Sequence, residues 1–366
     1  MPWLPILRCK TIPTTWQIGK LNMIRRIAVI LAPLFALVSA TDCRAECRPT
    51  TGVDPDVKIA DNVVNLLGDH KLTTDDLFRA MHVTSQFETN GCWAGSSNPD
   101  AQFLSVGIMQ WNLGRQSLQP LLRIYLSHFD NEPYRANYIG NLMPTFGTQF
   151  FAECLNPAVS ASCKDLMYSS WRDLRLDANP RLKPDFAREL DALFNDRLMR
   201  QVQMDLYSKA FTASVDDFQN IYHNPRPAYW QQAWAIDVRT QLGKRVLTDN
   251  AIRRITNSVN GDAATAFNSI MLWYESTCID NSMHINKQDC AKNQVLWPQE
   301  KARLTAADKD RLITLAFTRR IAEGVDVSLK GVGSDEWKLD LFTRKATIAV
   351  GKGYVHGSEI VDPSLK

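Results

Sequence analysis

Residues 84–114, TSQFETNGCWAGSSNPDAQFLSVGIMQWNLG, join a helical run to a Gly/Ser/Asn loop and then to a compact turn. Upstream, Thr74 reads as the cap of that helix, with Asp75 and Asp76 suited to its N-terminal dipole. Leu77, Met81, Thr84 and Glu88 follow at i, i+4, i+7 and i+11, one stripe of a helix. Glu88 therefore continues the buried face to the helix end. A carboxyl group there loses hydration and favours its protonated form, which a general acid needs near neutrality. The plain alternative is a helix-end glutamate in solvent or in a buried ion pair.

Past the loop, Gly107 permits a left-handed or crowded backbone, and Gln110 offers a polar ligand both a donor and an acceptor. Met109 lies in the same turn. Trp93 and Trp111 are candidate platforms for the C–H face of a sugar ring, or core residues. Asn112 either binds ligand or caps the turn. A general acid at Glu88 would work with a second carboxylate. Asp100 in the loop is the first candidate, although Asn98-Pro99-Asp100 is also an ordinary turn; Glu275, ending NSIMLWYES, is the second. Tyr354 and His356 either reach a cleft or belong to a structural tail.

Working outward, Arg25 and Arg26 precede the apolar run Ile27–Val38, which is followed by small residues. That is the pattern of a secretory signal peptide starting at Met23. The run is shorter than the about 20 residues of a bilayer span, and Pro33 interrupts it. Cleavage after Ala45 leaves six cysteines, an even set for an oxidising compartment. Cys154 with Cys163 and Cys278 with Cys290 read as loop staples, which leaves Cys47 for Cys92. No Cys-x-x-Cys pair or Cys/His cluster at metal spacing occurs, so no metal or other cofactor is expected. Residues 1–45 hold six of the 42 basic and one of the 39 acidic residues, leaving 36 against 38, net −2. The apparent basicity belongs to the signal region, and a nucleic-acid footprint is not indicated.

Helical patterns follow over 54–67 and from Pro120, with Ser117 as N-cap. A Pro/Gly/Asn/Tyr-rich loop is read at 131–148, and a long helix at 184–208. Further helices are read at 229–241, 249–259, 263–275 and 306–322, and a Gly-punctuated hairpin or tail at 344–357. The expected organisation is a signal region (1–45), a segment carrying Glu88 and the turn (46–130), a helical remainder or second lobe (131–343) and a tail (344–366). Helix dominates, with no βαβ alternation and no repeat.

Glu88-Thr89, a polar loop, and Gly107-Ile108-Met109-Gln110 resemble the Glu-Ser/Thr … Gly-Leu-Met-Gln pattern of the lysozyme superfamily, known in goose-type lysozymes and lytic transglycosylases. The longer reading, SQFETN … GIMQWNLGRQSLQPLL, is similar to a group of secreted bacterial lysozyme-like proteins, and Arg344–Gly357 resembles their RK-x-TIA-x-G-x-G-x-VHG tail. The resemblance implies a mainly α, lysozyme-like α+β fold with a small β-hairpin beside the cleft. In it Glu88 is the catalytic acid and the GIMQ segment lines the cleft. Asp100 resembles the loop aspartate of chitosanases, which share this superfold. Ile108 and Thr89 are variants of the pattern, and the Ala-Tyr-Asn segment of lytic transglycosylases is missing downstream, so the resemblance leaves hydrolysis and lytic transglycosylation both open. The implied function is an exported glycoside hydrolase that cleaves a β-1,4 bond in an amino-sugar polymer, peptidoglycan before chitosan. The partner expected is a cell-wall glycan. The competing class is a glycan-binding envelope protein without turnover.

Overall fold

The computed structural model describes residues 47–97, 103–171, 181–220, 222, 224, 226–242, 247–280, 284–324 and 334–362. The signal region and the Asn98-Pro99-Asp100 turn lie outside these residues. Cys47–Lys366 group as one unit, and helix dominates it.

Helix α1 (Asp61–Asp69) is shorter than the pattern over 54–67. Helix α2 (Thr74–Thr89) is capped by Thr73 rather than Thr74: Thr73 Oγ1 accepts the Asp76 N–H at 3.2 Å, and Asp76 Oδ2 accepts the Thr73 N–H at 2.8 Å. This reciprocal box satisfies two otherwise orphaned donors and contributes about 1 kcal/mol. Asn90 in the left-handed region (φ 54°) ends the helix, and the Gly91 N–H closes on the Ser85 carbonyl. Next come β1 (Ser96–Ser97), β2 (Ser105–Val106) and β3 (Trp111–Asn112), an antiparallel sheet in that order. Ser117 precedes α3 (Leu118–Ser127), but its Oγ accepts the Asn112 N–H at 2.7 Å instead of capping α3.

Two expectations change here. Segment 131–148 is mostly helix, α4 (Glu132–Leu142) and α5 (Gly147–Glu153). Asn131 caps α4 by accepting the Tyr134 N–H at 3.1 Å, and Phe129, Tyr134 and Tyr138 pack with ring centroids 5.4–6.1 Å apart. Capping and aromatic packing override a weakly helical composition. After α6 (Ala161–Met167), the single helix expected over 184–208 is α7 (Pro184–Asn195) and α8 (Arg197–Asn220). Asp196 between them is extended, and its carboxylate accepts the Leu198 N–H at 2.9 Å, so it caps α8.

The chain continues through α9 (Tyr229–Leu242), α10 (Asp249–Gly261), α11 (Ala263–Asp280), α12 (His284–Gln299), α13 (Lys301–Ala306), α14 (Lys309–Glu323) and α15 (Ser334–Val350). Arg344 thus lies inside α15, and only then comes the hairpin β4 (Lys352–Val355) and β5 (Ser358–Val361). Helix α9 is the hub: Tyr229–Val238 are all buried, and α9 packs on α2, α8 and α15. Truncating a fully buried ring such as Trp234 to alanine costs about 3–5 kcal/mol. Through α9, elements from opposite ends of the sequence meet. Disulfides join Cys47–Cys92, Cys154–Cys163 and Cys278–Cys290, the pairings read from spacing. No helix among the described residues is long and apolar enough to cross a membrane.

Candidate active site around Glu88

Glu88 occupies the last turn of α2, on the stripe of buried Leu77, Met81 and Thr84. The backbone beyond it is tied down on both sides. Thr89 Oγ1 donates to the Ser85 carbonyl at 3.1 Å, and the Thr50 N–H donates to Gly91 O at 2.8 Å. The Trp93 N–H donates to Arg48 O at 2.9 Å, and the Cys47–Cys92 disulfide crosses the same junction.

The GIMQ turn is built against this helix end. A Cβ on Gly95 would lie 3.0 Å from the Thr89 side chain, so the loop passes Glu88's neighbour at close range. Gly95 O in turn accepts the Gly107 N–H at 3.2 Å and Gln110 Nε2 at 3.3 Å. Gly107 is required twice over: φ is +79°, and a Cβ would lie 2.6 Å from Gln203 Oε1 and 3.0 Å from the Phe194 ring. Gln203 itself spans from Ile108 N (3.1 Å) to Phe194 O (3.0 Å), fixing the turn to α7 and α8.

Within the turn, Met109, Gln110 and Asn112 are partly exposed, while Gly107 and Ile108 are buried. Asn112 Oδ1 accepts the Arg115 N–H at 2.8 Å, so it caps the turn. The sugar-platform reading of the tryptophans is corrected. Trp93 is 1% exposed and sits 6.0 Å beneath the Arg200 guanidinium, and Trp111 is also buried, so neither offers a free ring face. Glu275 is exposed in the middle of α11, which runs on to Asp280 and packs with α10, α12, α13, α14 and α15. Asp100 lies outside the described residues.

What the sequence reading missed are the partners of Glu88. Arg344 Nη2 donates to Glu88 Oε1 and also to Asp237 Oδ1 at 2.6 Å, with its guanidinium 5.3 Å from the Phe87 ring centroid. Lys345 Nζ donates to Asp237 Oδ2 at 2.6 Å and to Gln241 Oε1. The four charged side chains are 0–13% exposed, with Glu88 the most open. Burial pushes the Asp237 carboxyl up, but the adjacent Arg344 and Lys345 outweigh it and hold the group at about 2. Glu88 is therefore an ion-pair partner rather than an unpaired carboxyl in an apolar wall. A signal existed: Asp237 is the one acid in the apolar run AWAIDV, and Arg344-Lys345 interrupt DLFTRKATIAV. Buried charges of opposite sign need each other.

The hairpin joins the same helix through His356. His356 Nε2 and Asp340 Oδ1 are 2.7 Å apart, and that bond raises the imidazole above its ordinary value. Burial pushes Asp340 up, but the His356 bond and charge outweigh it and lower it. Elsewhere, grooves of about 340 and 490 Å³ adjoin at Thr265, Ser269 and Arg319 on α11 and α14, lined by none of these residues. No group of three or more His, Cys, Asp or Glu side chains among the described residues could hold a metal ion. No family model, curated protein or solved structure matches the chain.

Proposed function

We propose that this protein is an exported glycoside hydrolase of lysozyme-like fold that cleaves the β-1,4 glycan of peptidoglycan, with Glu88 as its general acid. One observation carries the reading: Glu88 ends α2 where the loop through Gly95 ties the GIMQ turn to the helix end. In the reaction Glu88 gives its proton to the glycosidic oxygen as positive charge develops at the anomeric carbon, and water attacks that carbon. The acid becomes an anion as the bond breaks. Arg344, fixed by Asp237, holds the Glu88 carboxyl as an anion, so the ion pair has to open for Glu88 to take up the proton it transfers, and it closes again on the anion that transfer leaves. Three disulfides suit the oxidising compartment that such a substrate occupies.

The test is release of soluble muropeptides from purified sacculi. Wild-type protein is expected to release them, and Glu88→Gln is expected to be slower by about 10²–10⁴-fold. Full activity in the variant would end the proposal. Product mass separates hydrolysis from an anhydro product, and parallel digestion of chitosan checks the alternative substrate. The ion pair itself favours a second reading, a glycan-binding envelope protein without turnover, because Arg344 occupies the carboxyl group. Sedimentation with sacculi and no release would support it.

A further inference from the structure

We propose that His356 is the second acid–base group of this site, taking the proton of the attacking water through Nδ1 while Glu88 protonates the leaving oxygen. This rests on the glycosidase reading above.

The backbone gives the first argument. Val355 pairs with Ser358, so the loop between β4 and β5 is only His356-Gly357, with φ of 52° and 83°. Two positive φ values define a turn that Asn-Gly or Asp-Gly fills with least strain. Histidine, like asparagine, is among the residues that tolerate this left-handed position, and the turn presents its ring outward from the hairpin end.

The ring gives the second. Asp340 holds Nε2 at 2.7 Å, and the side chain is 48% exposed. A carboxylate on one ring nitrogen fixes orientation and tautomer and leaves the other nitrogen for proton transfer, the logic of catalytic Asp–His pairs. Among the described residues Nδ1 has no partner. The support is rigid. Asp289 Oδ2 accepts the Gly357 N–H at 3.0 Å, and Asn293 of α12 holds Tyr354 N and O at 2.7 and 2.9 Å.

Helix α15 links the two groups. Asp340 and Arg344 are one turn apart, and residues at i and i+4 share a helix face. From that face Arg344 reaches Glu88 and Asp340 reaches His356. The charged groups acting on His356 are Asp340 and Arg344 of α15 and Glu88 of α2, with Asp289 of α12 at the adjoining Gly357.

The step balances. Water oxygen bonds to the anomeric carbon and its proton goes to Nδ1. The carbon–oxygen bond to the leaving sugar breaks, and that oxygen takes the Glu88 proton. The imidazolium then loses its proton to solvent and the Glu88 carboxylate regains one. A base in place of a nucleophile gives inversion at the anomeric carbon.

Replacement His356→Asn tests this, because asparagine suits the same left-handed turn and keeps the hairpin. Release from sacculi is expected to fall by about 10²-fold per folded molecule. In wild type the acid limb of the rate profile should follow the His356 imidazole titrated by NMR. Asp340→Asn should move both to lower pH, since the bond that raises the imidazole is lost. His356→Gly should regain rate with added imidazole. A wild-type rate and an unchanged pH profile in His356→Asn would overturn the inference and leave the glycosidase reading standing. Absence of release by the wild-type protein would instead remove that reading, and this one with it.

Discussion

Two buried arginines, Arg200 and Arg344, each bind two carboxylates brought from other parts of the chain, yet the surroundings differ. Arg200 is 1% exposed and contacts Asp54 at 2.6 Å and Asp56 at 2.9 Å, tying the segment after Cys47 to α8. Arg48 completes that cluster at 3.2 and 2.8 Å from the same acids, and Arg48 and Asp56 are more than 40% exposed. Three of its four members lie within nine residues of one another. Glu88, Asp237, Arg344 and Lys345 have the same two-against-two charge balance but come from α2, α9 and α15 and are almost dry. Water can replace a lost partner at the rim of the first cluster. In the second, Asp237 is bound by both cations and Arg344 by both carboxylates, with Glu88 the most open of the four.

The sharpest way to break this contrast is a matched pair, Arg200→Met and Arg344→Met. Removing one partner of a buried ion pair costs about 3–5 kcal/mol, so both should lose that much in urea unfolding followed by circular dichroism. Only Arg344→Met should also slow release from sacculi per folded molecule. Equal activities in the two variants would dissolve the distinction between clamp and site.

A smaller effect comes with acid. Asp237 is held at about 2 instead of 3.8, so its contribution is complete above about pH 4 and disappears as pH falls through 2. The shift corresponds to about 2 kcal/mol. Asp237→Asn should flatten the stability curve in that window, and an unchanged slope would show that the dry cluster does not govern it. The smallest effect belongs to the rim. Arg48→Ala should cost at most about 1 kcal/mol, because an exposed pair is screened by water and salt. A loss above twice that would mean the first cluster is as dry as the second.

The comparison also separates what was legible before the structure. The stripe Leu77, Met81, Thr84, Glu88 was readable because helix periodicity is local and the apolar face must be buried. So was the turn at Gly107, where a left-handed φ and a crowded backbone leave room for glycine alone. Trp93 could not be read in this way. A tryptophan in a polar loop fits a ligand platform and a core plug equally well, and only the packing of Arg200 over it decides. Segment 131–148 failed for a related reason: its composition is loop-like, and the cap at Asn131 and the cluster of Phe129, Tyr134 and Tyr138 supply what propensity does not.

By itself the sequence determined a mainly helical chain, an even set of six cysteines whose pairing the fold then fixed, and a glutamate at the end of a buried helix face. Each of these follows from spacing along a short stretch or from a small set of partners. The tertiary structure alone decided what Glu88 faces. Arg344 lies 256 residues away and Asp237 on a third helix, and their attraction acts only once α2, α9 and α15 have packed and removed the water between them.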